Sequence, residues 1–102
     1  MADIQQLFQL SQQMQGRLQQ LQADLADRVV EASAGGGMVK VRADGRGLVR
    51  YVTIDPAVFA GRDAELLSDL ILSAVAEVQR RAAEISQAEM KKMPGLPPLP
   101  GL

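Results

Sequence analysis

The sequence predicts an α+β fold in the order αβββα: a long N-terminal helix, a three-stranded antiparallel meander and a long C-terminal helix. Three observations carry this reading. Apolar residues near the N-terminus recur at alternating steps of three and four, the period drops to two between Arg28 and Ile54, and helical spacing returns after Asp63. A chain of 102 residues is one small domain with much surface relative to its core.

The first helix is predicted over residues 2–27. Ile4, Leu7, Met14, Leu18, Leu21 and Leu25 form a heptad seam, with Ser11 as its one polar member. Glutamines fill the positions between. They are good helix formers, and the sustained apolar seam separates this segment from a low-complexity glutamine tract.

Three short strands follow. Arg28 to Ser33 is rich in β-branched residues, Met38 to Ala43 alternates strictly, and Leu48 to Ile54 contains Val49, Tyr51, Val52 and Thr53. Ala34 to Gly37 joins the first pair, and the Asp44-Gly45 dipeptide is a strong hairpin signal for the second. On the middle strand Val39, Val41 and Ala43 share one face, and Lys40 and Arg42 the other. The third strand is apolar on both sides, so both faces of the sheet are expected to be partly covered.

Asp55-Pro56 starts a helix with a capping carboxylate and a proline that needs no amide hydrogen. Gly61 interrupts, and Asp63 caps a second start. Leu67, Leu70, Ile71, Ala74, Val75, Val78, Ala82 and Ile85 then mark a helix running to about Lys92, whose basic end suits the helix dipole. Pro94 stops it. A folded domain over residues 1–93 and a Pro/Gly/Leu-rich flexible tail over 94–102 are therefore expected.

A 26-residue helix is about 39 Å long, whereas a six-residue strand spans only about 20 Å. The helices must overhang the sheet. Leu7, Met14, Leu18, Leu21 and Leu25 then form a seam that needs a second helix, and a two-fold homodimer is the expected way to cover it.

The absence of Cys and His removes disulfides, thiolate nucleophiles, imidazole bases and the commonest zinc ligands. No secretory signal and no apolar run near the ~20 residues of a membrane span is visible, so a cytoplasmic protein without membrane contact is expected. No residue set could carry catalysis: Asp63 and Glu65 lack a nucleophile or metal ligand beside them, and Asp55 reads as a cap. No cofactor, metal or small-molecule substrate is expected.

The net charge of −1 conceals segregation. Arg28, Lys40, Arg42, Arg46 and Arg50 outnumber Glu31 and Asp44 across residues 28–50. Arg80, Arg81, Lys91 and Lys92 outnumber Glu84 and Glu89 near the C-terminus, and residues 1–27 and 51–79 are acidic. These are candidate phosphate contacts or ordinary solvated faces. Arg80 in particular reads as well as a surface partner of Glu77 or Glu84 at helical spacing, and Arg46 between two glycines could probe DNA or simply be solvated.

The run Gly35-Gly36-Gly37-Met38-Val39-Lys40-Val41, followed by Val52, Ile54, Asp55 and Pro56, resembles the YbaB/EbfC family of bacterial nucleoid-associated proteins, and the likeness spans essentially the whole chain. It implies a small homodimer, found in the cytoplasm and nucleoid, that binds duplex DNA with little sequence preference and has paired helices protruding from a central sheet. One departure matters. Family members often carry several lysines in the first helix, whereas Arg17 is the only basic residue here before Arg28. DNA contact must then come from Arg80, Arg81, Lys91 and Lys92, or from Arg28, Lys40, Arg42, Arg46 and Arg50 near the sheet. Phe8, Tyr51 and Phe59 are too scattered for a base-stacking platform, which favours duplex backbone contact over single strands. The competing class is a dimeric protein–protein interaction module with weak or no DNA binding. The triple glycine lacks the GxxxxGK[ST] context of a phosphate-binding loop and reads as a hairpin turn requiring positive backbone angles.

Overall fold

The computed structural model describes residues 3–92. Its elements are α1 (Ile4–Ala26), β1 (Val30–Ala34), β2 (Val39–Ala43), β3 (Val49–Ile54), a short α2 (Ala57–Ala60) and α3 (Ala64–Lys91). The αβββα order is as the sequence predicts. The expected tail over 94–102 lies outside the described residues.

Each boundary has a local cause. The Asp3 carboxylate accepts from the amide of Gln5, and α1 ends with Asp27 and Arg28 turning back onto the carbonyls of Asp24 and Leu25. That turn consumes Arg28, so the first strand begins at Val30 rather than Arg28. Asp55 accepts from the amide of Ala57 at 2.9 Å, and Asp63 from that of Leu66 at 3.0 Å, the capping roles read from the sequence.

The sheet is an antiparallel meander in the order β1-β2-β3. In the first hairpin, Gly35, Gly36 and Gly37 take φ of 63°, 67° and 95°, a run that residues with side chains resist. The second hairpin differs from expectation. Gly45 has no positive φ; Gly47 does, at 90°, and the Gly47 amide donates to the Asp44 carbonyl at 3.0 Å. The loop is thus a three-residue turn closed by a left-handed glycine. Gly45 serves close approach instead: its amide donates to the Leu25 carbonyl at 2.8 Å, and a Cβ there would lie 2.8 Å from the same oxygen. This contact ties the end of α1 to the β2–β3 turn.

The core forms between one sheet face and α3. Val30, Ala32, Val39, Val41 and Ala43 meet Ala74, Val78 and Ala82. Small residues on the helix let it lie close to the strands. α3 lies chiefly over β1 and β2, on one face, so the expectation that both sheet faces are partly covered is wrong within the chain: Glu31, Ser33, Lys40 and Arg42 on the opposite face are all exposed. β3 is largely exposed, with Tyr51 68 % and Val52 45 % exposed at the sheet edge, and only Ile54 packs partly against the core.

α1 departs from the body as a projecting arm. Leu21 and Leu25 are buried within their own chain, Leu25 against the Gly45 turn, and Met14 is half-buried. Ile4, Leu7, Phe8, Leu10 and Leu18 stand exposed. The molecule measures 71 × 26 × 17 Å with a radius of gyration of 19.5 Å, against about 13 Å for a compact domain of this length.

Candidate nucleic-acid interface

Nine of the ten candidate basic residues fall into four groups, set by the elements that carry them. On β2 the pleat places Lys40 and Arg42 on the uncovered sheet face. Arg42 Nε donates to Glu31 at 2.8 Å across the strand pair. That bond, with Lys40 nearby, holds the Glu31 carboxyl below its ordinary value. No ion pair joins Lys40 to another described residue.

The β2–β3 turn forms the second group. Asp44, only 2 % exposed, accepts from the amides of Arg46 at 2.8 Å and Leu48 at 3.3 Å. It also accepts from Arg46 Nη2 at 2.9 Å and Arg50 Nη2 at 3.1 Å. These donors hold its carboxyl well below the usual carboxylate range, led by the Arg46 side chain and against the cost of burial. Arg46, which the sequence leaves open as a probe or a solvated tip, folds back onto this carboxylate. Asp44 organises the turn, a role hidden in the sequence, where it stands only as half of a turn dipeptide.

The third group lies along α3. Arg80 reaches Glu77 and Glu84 one turn to either side, and Arg81 reaches Glu77 at 3.1 Å and the Glu31 carbonyl at 2.8 Å. Arg80 and then Arg81 lower the Glu77 carboxyl to about 2, and the Arg80 guanidinium is raised in turn, chiefly by Glu77. The surface-pairing reading of Arg80 is the arrangement observed. Arg28, Lys91 and Lys92 form the fourth group at the end of α3, where Arg28 meets Glu89 at 2.6 Å and Lys92 meets it at 3.4 Å. Arg17 stands apart on the exposed arm of α1.

Most of the candidate cations are thus already paired with carboxylates. Apart from the pairs on Asp44, these contacts are at the surface, where salt screens them and a polyanion can compete for the cation. Among the described residues no cluster of His, Cys, Asp or Glu could hold a metal, and no helix is long and apolar enough to cross a membrane.

The family model for the YbaB/EbfC DNA-binding family matches residues 1–96. The chain belongs to that family. It is 45% identical over 101 residues to a nucleoid-associated protein of Acetivibrio thermocellus, covering 98% of this chain and 89% of that one. It is 39% identical over 90 residues to a nucleoid-associated protein of Chloroflexus aurantiacus, covering 88% and 90% of the two chains. A crystal structure of an uncharacterized Helicobacter pylori protein superposes with a TM-score of 0.83 at 26% identity, over 93% of this chain and 100% of that one. The YbaB/EbfC family is a DNA-binding family rather than an enzyme family.

Sequence reasoning missed three neighbours of the β2 cations. Register places Ser33 and Thr53 beside Lys40, and Tyr51 beside Arg42. The antiparallel meander, written out strand against strand, contains this signal.

Proposed function

We propose that the protein binds duplex DNA as a homodimer, with little sequence preference, through contacts to backbone phosphates, and that it acts in the cytoplasm on the nucleoid, organising DNA and modulating gene expression. The observation that carries the DNA reading is the placement of the basic side chains. They stand on the surface of a long, narrow body, without an aromatic stacking platform beside them. Such a surface contacts the sequence-independent part of a duplex. The candidates are Lys40 and Arg42 with Arg28, Arg46 and Arg50, and along α3 Arg80, Arg81, Lys91 and Lys92; Arg17 adds one cation on the arm.

The dimer reading rests on unmet apolar surface. Leu7 is 56% exposed and Leu18 41% in the single chain, and each leucine is worth about 1.5–3 kcal/mol on full burial. The proposed seam narrows to Leu7, Met14 and Leu18, since Leu21 and Leu25 already serve their own chain. The edge strand β3 offers a second unpartnered surface. The alternative, a protein–protein interaction module, draws support from the arm itself, which exposes Ile4, Leu7, Phe8 and Leu10 and carries a single basic residue.

Solution mass measured beside a duplex titration at two salt concentrations tests both parts. A dimer that binds duplex at low salt and releases it at high salt fits the proposal. A dimer that ignores DNA at low salt favours the interaction module.

A further inference from the structure

The uncovered face of the sheet is polar in both of its central cross-strand rows. Register aligns Ser33, Lys40 and Thr53 in one cross-strand row and Glu31, Arg42 and Tyr51 in the next. All six side chains are exposed, and each carries a hydrogen-bonding group. Five of them, Glu31, Lys40, Arg42, Tyr51 and Thr53, line a shallow open depression of about 380 Å³.

The composition of this face argues against a second copy of the chain as its occupant. Its two rows present no aliphatic side chain, and covering them with protein would desolvate two cations and a carboxylate. The apolar surface available for self-association lies elsewhere, on the α1 arm and along β3. The charge balance of the face is two cations against one anion. Lys40 forms no ion pair with a described residue, and Arg42 spends only Nε on Glu31, at 2.8 Å, leaving its terminal nitrogens for another acceptor. The α3 cations are more heavily committed, because Arg80 and Arg81 share Glu77 and Arg80 also holds Glu84.

Spacing favours an extended polyanion. Neighbouring strands lie about 4.8 Å apart, and a two-residue step along a strand covers about 6.8 Å. Lys40, Arg42 and the three hydroxyls of Ser33, Tyr51 and Thr53 therefore form a grid of donors that can follow consecutive phosphodiesters.

Resting on the DNA-binding reading above, we propose that the outer sheet face is the surface on which the duplex backbone lies. Lys40 and Arg42 make the charged phosphate contacts, and the hydroxyls of Ser33, Tyr51 and Thr53 donate to the same backbone and fix its position. Glu31 is a counter-charge that holds Arg42 and limits affinity, because phosphate must displace it.

The test is titration of the full-length protein with a fluorescent duplex between about 50 and 200 mM salt. Lys40→Gln with Arg42→Gln weakens binding and lowers the salt slope by about 0.9 for each phosphate that is no longer neutralised. Arg80→Gln with Arg81→Gln lowers it less. Tyr51→Phe with Thr53→Val weakens binding and leaves the slope unchanged, since a hydroxyl displaces no counterion. Glu31→Gln tightens binding several-fold, a gain that misfolding cannot imitate. The inference is overturned if the Lys40/Arg42 variant keeps wild-type affinity and slope, or if Glu31→Gln fails to tighten binding. A wild-type protein that does not bind duplex at the lowest salt overturns the DNA reading itself, and the inference with it.

Discussion

Replacing Asp44 tests the account of the β2–β3 turn. Its carboxylate is buried and receives two backbone amides and two guanidinium groups, at 2.8–3.3 Å. Hydrogen bonds to a charged group are worth about 1.5–3 kcal/mol each when desolvated, but Arg46 and Arg50 are roughly a third and a half exposed, and water recovers much of their share. Asp44→Ala should therefore cost about 2–4 kcal/mol. Asp44→Asn keeps an oxygen for the two amides and loses the ion pairs, for a cost of about 1–2 kcal/mol. Urea unfolding followed by circular dichroism measures both, at one fixed protein concentration because the proposed dimerisation would couple to stability. The pH dependence supplies a second readout. Since folding lowers the carboxyl's pKa from an ordinary 3.8, its contribution is complete above that value and declines as acid protonates the folded state. Asp44→Asn should flatten that part of the acid profile. A loss under about 0.5 kcal/mol for Asp44→Ala, or an acid profile identical in Asp44→Asn, would refute the reasoning.

Other outcomes follow from the same geometry. Gly45→Ala places a methyl 2.8 Å from the Leu25 carbonyl oxygen, a backbone atom that no rotamer change can move; it should cost about 1–3 kcal/mol in urea unfolding. Gly36→Ala meets nothing within 4 Å and should cost about 1 kcal/mol, for its positive φ alone. Leu25→Ala should lose about 2–5 kcal/mol as a core truncation, whereas Leu7→Gln should retain full helicity by circular dichroism and shift sedimentation toward the monomer. Glu77, titrating at about 2 in the fold against an ordinary 4.5, stabilises fully above 4.5 and loses that contribution as pH falls through about 2; Glu77→Gln should remove this component from an acid titration.

The parts of the fold legible in the sequence are those set by local chemistry. Asp55 and Asp63 cap the helices that follow them because a carboxylate beside free amides needs no distant partner. Gly35, Gly36 and Gly37 mark a turn whose backbone angles only glycine adopts easily. Arg80 finds Glu77 and Glu84 because helical spacing puts them there. The rest depends on long-range placement. Gly45 reads as an ordinary hairpin residue until α1 is seen to end against it. The heptad seam runs from Ile4 to Leu25 with a single polar break at Ser11, yet only its C-terminal end is buried against the body. Arg28 meets Glu89 across 61 residues, a pairing that no local pattern contains. The candidate interface is half visible in the sequence: alternation exposes Lys40 and Arg42, while Ser33, Tyr51 and Thr53 join them only through strand register.

The most direct test of the central claim is the affinity of the protein for two duplexes of equal length and unrelated sequence, measured across salt concentration. The account predicts that both bind with closely similar affinity and that log affinity falls linearly with log salt for each, as counterion release requires. Absence of binding at the lowest salt, or an affinity insensitive to salt, would contradict it.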